Sequence, residues 1–497
     1  MADSGLESIN IVFFSAGLPE DDIRLAGLLG QEELSRPFSC RLILVRPAGP
    51  FSDEQLDTLM TSHCAVAMGP DEADVVQGIL SEIQLIDAAR TVAARYLCTM
   101  VPTVSTLGLA RSCRIYQDQT TAEIIETVLT LYGLKKGEDF DNRVRAKLPK
   151  REYVVQYQES DWAFLERQME RDGIFYWFDH NEQGETLIIA DENSDATPIG
   201  DPHIVSYRER NNLSTGGAST VWDWQLLQKR VPARVGVIDY NYRTPGVPLV
   251  GEAKVGDEGG FGSVTYYGEH FKTTDEGTRI AQLRAEQLAC GRRTYSGRTD
   301  CPRFRVGHTF ELENHHDAQH DGEYLITSME HRVGQPVRTG DVDDYQLSED
   351  PQRYIARFTA IPVDVPYRPE RRTPWPRING VMHAHIAGDT SGENAEIDDQ
   401  GRYKVRLPFD VTNPGGSKAS RWVRKAQPYT GGGYGQHFPL HKGTEVLLVH
   451  TDGDPDRPII VGAVPNPQTL SPSTGANATQ SVLQTASGIR FEMEDQA

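Results

Sequence analysis

No apolar run in this 497-residue chain approaches the ~18 residues that a membrane-crossing helix needs. The opening MADSGLESIN lacks a basic region followed by an apolar stretch, so no secretory signal is expected. Positive charge is in deficit: 50 Lys and Arg face 71 Asp and Glu, a net charge of -21. A nucleic-acid binder needs a basic surface to displace counterions from phosphates, and an anionic membrane surface makes the same demand. Both partners are therefore disfavoured, and the acidity fits a soluble, oligomeric protein. Cysteine is scarce, and Cys40, Cys64, Cys98, Cys113, Cys290 and Cys301 form no CxxC pair. They read as reduced core residues of a protein made in the cytosol. Familiar catalytic signatures are missing too. There is no GxSxG and no HExxH, and the glycine-rich TGGGYGQ (430–436) lacks the GK[ST] ending of a phosphate loop and leads into β sequence.

What the chain has in quantity is β pattern. IVFFS (11–15), FSCRLILV (38–45), GILSEIQLI (78–86), YLCTMVP (96–102), YVVQY (153–157), TLIIA (186–190), HTFELE (308–313), YLITSMEH (324–331) and YIARFTAIP (354–362) are short and rich in β-branched and aromatic residues. Helices are few. TTAEIIETVLTLYG (120–133) and TTDEGTRIAQLRAEQLACG (273–291) each start at Thr with early acids and end at Gly.

A third helix is predicted in ESDWAFLERQMERDGIFYWF (159–178). Ser160 can cap it, and Asp161 is favourable in the first turn. Trp162, Leu165 and Met169 form its buried stripe. Gly173 supplies a left-handed exit. IFYWF then reads as a strand covered on both faces, and Glu159, Glu166, Glu170 and Asp172 as the solvated side of the helix.

A weak repeat runs through the β pattern. GILSEI with YLCTMVP, and EYLITSMEH with YIARFTAIP, are strand pairs whose second member ends at an apolar–Pro step, Val101-Pro102 and Ile361-Pro362. Two related β-barrels in one chain would give a trimer six similar barrels about its axis. VPYRPERRTPWP (365–376) reads as a linker. Beyond it, RYKVRLPFD (402–410), EVLLVH (445–450) and PIIVGAV (458–464) suggest a small closed barrel of the oligonucleotide/oligosaccharide-binding (OB) type. Residues 467–488 are rich in Ser, Thr, Asn and Gly and read as extended.

Each candidate for chemistry has a plainer reading. Glu166 and Glu170 could mimic a glycosidase acid/base pair, but catalysis needs one carboxyl in an apolar pocket, and both lie on the face predicted to be wet. His315, His316 and His320 read as a solvated loop rather than a metal site. His383 and His385 share a strand face, a better geometry for metal but with only two imidazoles. The turn Asp452, Gly453, Asp454, Pro455, Asp456, Arg457, Pro458 reads as barrel-closing. Asp452 or Asp454 would accept backbone N–H groups, Arg457 would pair with one of these aspartates, and Pro455 and Pro458 would set the geometry. No catalytic, cofactor-binding or metal residue is assigned.

Three stretches together resemble the VgrG family, the trimeric spike of type VI secretion systems, and the related hub and spike proteins of contractile phage tails. They are the 159–178 segment with Asp161, Trp162 and Gly173; HTFELENHHDAQHDGEYLITSMEH; and GRYKVRLPFD followed by the Trp422 strand SRWVRKAQPYTGGGYGQHFPLHKGTEVLLVHTDGDPDRPIIVGAVPN. The resemblance implies a mainly β fold of the β-rich α+β kind. Residues 1–365 would be a hub with two tube-type β-barrels (about 1–110 and 205–365) and an α+β insertion (about 110–200). Residues 366–375 would be a linker, 376–466 an OB-fold spike neck, and 467–497 a linker and the start of a trimeric β-helix needle, entered at SGIRFEMED (487–495). The family's needle normally runs on, whereas this chain stops at Ala497, so a truncated or unusually short needle is expected. Implied partners are two further copies in a homotrimer, a hexameric Hcp-like tube protein, baseplate proteins, a PAAR-type tip protein with effectors, and transiently a target membrane. Nucleic acid is not among them. Assembly in the cytoplasm and export by the machine itself would follow, with no enzymatic step. The alternatives are the hub-spike of a phage tail or extracellular injection particle, a carbohydrate- or nucleic-acid-binding OB-fold protein, and an enzyme built on the 110–200 insertion.

Overall fold

The computed structural model describes residues 11–19, 22–68, 74–87, 93–181, 184–209, 219–256, 260–334, 354–412 and 418–495. Strands dominate, with four α-helices among the described residues: α1 (Asp53–Thr61), α2 (Thr121–Leu131), α3 (Asp161–Asp172) and α4 (Thr274–Cys290). The chain divides into two compact units. The first comprises 1–110, 121–148 and 162–373, the second 111–120, 149–161 and 374–497. The segment expected as an insertion at 110–200 is thus shared between them.

The first unit is organised on one 13-stranded sheet. Its first six strands run Ile11–Ser15, His63–Met68, Asp74–Asp87, Ala94–Val101, Arg36–Arg46 and Arg24–Glu33, each antiparallel to the next. Burial alternates strictly along Ala94–Val101, with Tyr96, Cys98 and Met100 inside, as a sheet with one dry face requires. Six of the remaining seven strands form a closed ring, and the seventh, Thr197–Pro198, pairs with His308–Glu313 at its edge. Gly322–Gly334 pairs with Ile355–Pro362, then come Arg293–Thr299, Thr220–Gln228, Ile204–Tyr207 and His308–Glu313, which pairs back onto Gly322–Gly334. Aromatic side chains fill the ring. Trp224 stacks on Tyr295 at 5.1 Å, Phe310 meets Phe358 edge-on at 5.5 Å, and Phe304 lies 4.7 Å from Phe310, separations at which such pairs attract beyond their burial. Arg24–Glu33 also pairs with Gly322–Gly334, which welds the curled sheet to the ring.

The weak repeat has a structural counterpart. Asp74–Asp87 pairs with Ala94–Val101, and Gly322–Gly334 with Ile355–Pro362. Asp74–Asp87 has an extra residue at Ile86 that has no counterpart; at matching places each first strand carries one more, Ser81 between Leu80 and Glu82 and Thr327 between Ile326 and Ser328. The extra residue is a hydroxyl amino acid in both cases. Ser81 Oγ donates to the Thr99 carbonyl at 3.2 Å and Thr327 Oγ1 to the Thr359 carbonyl at 3.1 Å. A bulge holds its position within a sheet, so the two halves share a detail that simple β patterning would not produce.

A separate three-stranded sheet (Leu249–Lys254, Arg234–Asp239, Ser263–Tyr267) packs on α4 through Val235, Val237, Leu249 and Ile280. The IFYWF strand, Phe175–Asn181, pairs with Gly184–Ala190, and Phe175 to Phe178 are all buried, as expected for a strand covered on both sides.

In the second unit five strands pair in the order Lys404–Arg406, Met382–Ala387, Glu445–His450, Pro458–Ala463 and Arg424–Lys425. The bridge between Tyr403 and Val423, with N–H···O distances of 2.9 and 2.7 Å, closes the ring. Its core includes Tyr403, Val405, Leu407, Val446, Leu448 and Ile460. The antiparallel pair Arg111–Tyr116 and Val154–Ser160 belongs to this unit, and Val155 of its second strand, with Tyr153 just before it, joins that core. Sequence patterning gave no sign of this addition. Five of the six cysteines are buried and Cys113 is half-buried, all as free thiols.

His180, half-buried in the first unit, accepts the Gln77 N–H at Nδ1 (3.1 Å). Burial, reinforced by the Arg305 charge, lowers its pKa from 6.5 to about 3. The unfolded chain therefore binds this proton before the folded one does. The stability it protects is complete above pH 6.5 and is lost as pH falls toward 3. Full protonation would cost roughly 5 kcal/mol. His180→Gln keeps an acceptor but cannot titrate. Its melting temperature is expected to fall less steeply than the wild type's between pH 6.5 and 4, as followed by circular dichroism.

Candidate functional site

The acidic side of α3 is not wet. Glu170 and Asp172 are buried and the Glu166 side chain is 11% exposed, which corrects the solvated reading. The cause is that the face opposite the apolar stripe also packs, onto charged partners that sequence spacing cannot show. Arg36 reaches Glu166 at 3.3 Å and Glu170 at 3.5 Å. Tyr176 donates to Glu166 at 2.8 Å. Thr373 donates its N–H to Glu170 at 3.1 Å and its hydroxyl at 2.8 Å. Asp172 accepts from Thr121 and from Arg279 (3.1 Å). Burial raises the Glu166 pKa, as a general acid would require. Its donors, however, are all protein groups that tie elements together, an arrangement suited to a structural clamp. Trp162 rests edge-on against Tyr176 with centroids 5.3 Å apart.

Gly173 ends α3 at φ 74°. A Cβ there would lie 2.7 Å from Leu283 Cδ2 and 3.0 Å from Arg368 Cδ. Conformation and space both select glycine. Arg368 belongs to residues 366–373, which read as a linker in the sequence but are pinned within the first unit. Arg368 pairs with Glu286 (2.7 Å) and donates to the carbonyls of Gly173 and Asp191. Arg371 pairs with Glu269 (2.7 Å) and Arg372 with Glu33 (2.6 Å). Tyr367 N–H donates to Asn193 at 3.0 Å. Burial alone would raise the Glu269 pKa, but the charges of Arg371 and Arg284 bring it below the usual carboxylate range. The prolines fix φ, and the arginines fasten the strap to several elements at once.

In the second unit, Asp161 is fully buried and accepts from Arg114 (3.0 Å), Ser112 and Gln156. Its role is thus more than favourable placement in a first turn. The 452–458 turn is tightly wired. Asp452 has φ 54° and Gly453 φ 71°. The Asp452 carbonyl accepts from Arg377 and that of Gly453 from the Ile378 N–H (2.8 Å). Asp454 Oδ1 accepts the Asp456 N–H at 2.9 Å. Asp456, itself buried, accepts the Val155 N–H at 2.7 Å. Arg457 N–H donates to the Asp454 carbonyl (2.9 Å), Pro455 lies within the turn, and Pro458 begins the next strand. Trp422 is half-buried beneath Lys404, whose Nζ lies 4.9 Å from the ring centroid.

The histidines do not converge on a metal. His383 Nδ1 lies 2.6 Å from Glu445 Oε1, and His385 is on the same strand. The His316 ring lies tilted beside His315 and the His320 ring meets it edge-on, with centroids 4.1 and 4.7 Å away, and His315 is packed against Tyr207 at 4.4 Å. His316 and its neighbours Asn314 and Asp317 to Gln319 are exposed and His320 is half-buried, in keeping with a solvated loop; only His315 is buried. Among the described residues no group of three or more His, Cys, Asp or Glu could hold a metal.

A welded 13-strand sheet followed by a small five-strand barrel can be compared with known proteins. The model of the phage tail baseplate hub (GPD) matches residues 31–337. The chain belongs to that family. The model of the type VI secretion system/phage-baseplate injector OB domain matches 393–464. Homologues over most of the chain are VgrG spike proteins. The type VI secretion system spike protein VgrG1c of Pseudomonas aeruginosa is 29% identical over 95% of this chain and 64% of its own length. VgrG1a of the same organism is 28% identical over 97% of this chain and 74% of its own length. The chain therefore spans less than two thirds of VgrG1c. Among solved structures, an E. coli type VI secretion component described as similar to the T4 bacteriophage tail proteins gp27 and gp5 superposes with TM-score 0.66 at 22% identity, covering 91% of this chain and 99% of that one. The Francisella PdpA–VgrG complex, half-lidded, matches with TM-score 0.62 at 9% identity, covering 98% of this chain and 83% of that one. At these identities both speak for the fold.

Two substitutions test the wiring. Gly173→Ala is expected to cost roughly 2–4 kcal/mol, strain plus clash. Gly133→Ala, at φ 81° but with open space around it, should cost only ~1 kcal/mol. Denaturant melts of the two variants give the comparison. Asp456→Ala leaves the Val155 N–H without its acceptor and should lower stability by ~1–3 kcal/mol, with Asp456→Asn recovering most of it.

Proposed function

We propose that the chain is the hub and spike subunit of a contractile injection machine of the type VI kind, three copies closing around one axis. Membership of the baseplate hub family and VgrG homologues over most of the chain support this reading. The observation that carries it is the C-terminal ribbon, Gln480–Gln484 paired with Arg490–Glu494. Leu483, Phe491 and Met493 are exposed on it at 42, 60 and 51%, and they fall on one side by strand alternation. Arg490, Glu492 and Glu494 fall on the other. A lone two-stranded ribbon is marginal in water. Its apolar side becomes dry only against further strands, and two more copies supply them.

In this reading residues 1–365 are the hub, with tube-like halves at about 1–110 and 205–365 and an α+β insertion at about 110–200. Residues 366–375 connect, 376–466 are the spike neck, and 467–497 enter a needle. Two tube-like halves per copy give six about the axis, which suits a hexameric tube protein at one end. Baseplate proteins, a PAAR-type tip and effectors are the other partners. The role is mechanical rather than catalytic: closed rings and the pinned strap carry thrust without yielding. The subunit assembles in the cytoplasm and leaves with the machine.

Light scattering of the purified chain should give a threefold mass, and Phe491→Glu with Leu483→Glu should shift it toward one copy while the melting of both units persists. A wild-type chain that stays monomeric at micromolar concentration would sink the proposal.

A further inference from the structure

Across the weld between the curled sheet and the closed ring lies an open groove of about 660 Å³. Its floor can be followed strand by strand. Ser39 pairs with Gln31, Gln31 with Glu330, Glu330 with Arg357, and Arg357 with Arg298. The floor is therefore one continuous hydrogen-bonded sheet drawing on both halves of the first unit, and it is rigid without any ligand. The lining is mostly polar, with serines, a threonine and glutamines between the charged groups. Permanent contacts between copies are apolar, resembling a domain core cut in half, so this groove has the wrong chemistry for one. It suits a ligand that arrives and leaves.

The charges in the groove are unevenly satisfied. Each carboxylate on the groove face already has a basic neighbour: Glu33 has Arg372 at 2.6 Å, Asp223 has Arg298 at 3.3 Å, and Glu330 has Arg332 (Nε at 2.9 Å). Of the groove's arginines, Arg36 is held by Glu166 and Glu170, and Arg298 by Asp223. Arg357 is different. It is exposed at the centre of the floor, and Glu330, its cross-strand neighbour, is turned to Arg332. Among the described residues no carboxylate pairs with its guanidinium. A planar cation with free donors, flanked by hydroxyls that can meet main-chain amides, selects a carboxylate on an extended chain.

We propose that this groove binds an acidic segment of polypeptide, with Arg357 taking its carboxylate. The proposal goes beyond the hub reading and does not depend on threefold assembly.

Fluorescence anisotropy of the intact chain with a labelled Glu/Ser/Gly peptide, and with its Lys/Ser/Gly counterpart, tests it. The acidic peptide should bind at least ~10-fold more tightly than the basic one and weaken as salt is raised. Arg357→Glu should weaken it by a further ~10-fold or more, with Arg357→Lys recovering part of the loss. Arg357→Gln, which places no second acid beside Glu330, should show the loss too and carries the test if the Glu variant melts early. Light scattering should report the same mass for every variant. Equal binding of both peptides, no binding of either, or acidic-peptide binding that Arg357→Gln leaves unchanged would overturn the proposal. A monomeric mass with Arg357-dependent binding would instead overturn the hub reading and leave this one standing.

Discussion

One strand, Gly322–Gly334, is asked to do three things. Along one edge it pairs with Ile355–Pro362. Its other edge is divided: residues 322–325 pair with His308–Glu313 and close the ring, and residues 328–334 pair with Arg24–Glu33 and weld on the first sheet. The changeover falls at Ile326 and Thr327, whose carbonyls accept from Gly307 (3.1 Å) and Leu34 (2.9 Å). Exposed strand edges invite wrong pairing. Here a single 13-residue strand satisfies the edges of both halves, so neither can be displaced without opening the other. The groove, the clamp on α3 and the anchorage of the strap through Glu33 all depend on that sharing.

Registration of the weld is policed by charge. Glu32 lies in the interior with His331, and His331 Nδ1 is 2.7 Å from the Tyr354 hydroxyl. Burial would raise the Glu32 pKa, but His331, with help from Arg305, pulls it down to about 2. Desolvating such a pair gains little net stability, and breaking it is costly. A slip of one residue would turn Glu32 to the outer face and leave His331 with its other partner alone. The pair thus penalises wrong registers more than it strengthens the right one.

Much of the architecture is legible in the sequence because it rests on local pattern. Period-two alternation finds the strands, Thr and Gly bracket the helices, and Gly173 declares a left-handed exit. The repeat was visible through its apolar–Pro steps, although the shared bulge that makes it persuasive needs the register. What the sequence hides is long-range charge pairing. Nothing near Glu166 or Glu170 predicts that Arg36 and Thr373 will cover them, since the partners lie more than a hundred positions away. A charged residue on a helix is wet by default, and the default fails here because Arg36, Tyr176 and Thr373 all reach the two carboxylates. The Arg-rich run at 365–376 carried the missing signal: a linker has little use for so many arginines unless something acidic awaits them.

The same reasoning explains why the strap is built from many modest contacts. The Arg372–Glu33 pair is exposed, and such a pair contributes only ~0–1 kcal/mol, whereas the pairs of Arg368 and Arg371 are largely covered. Arg368, Arg371 and Arg372 each grip a different element, and Tyr367 and Thr373 add bonds to Asn193 and Glu170. To peel the segment away, several of these must break nearly together, because the anchors lie within seven residues of chain and Pro369 fixes φ between two of them. Stiffness then comes from the number of anchors and the inextensibility of the chain joining them, and no single residue has to be strong.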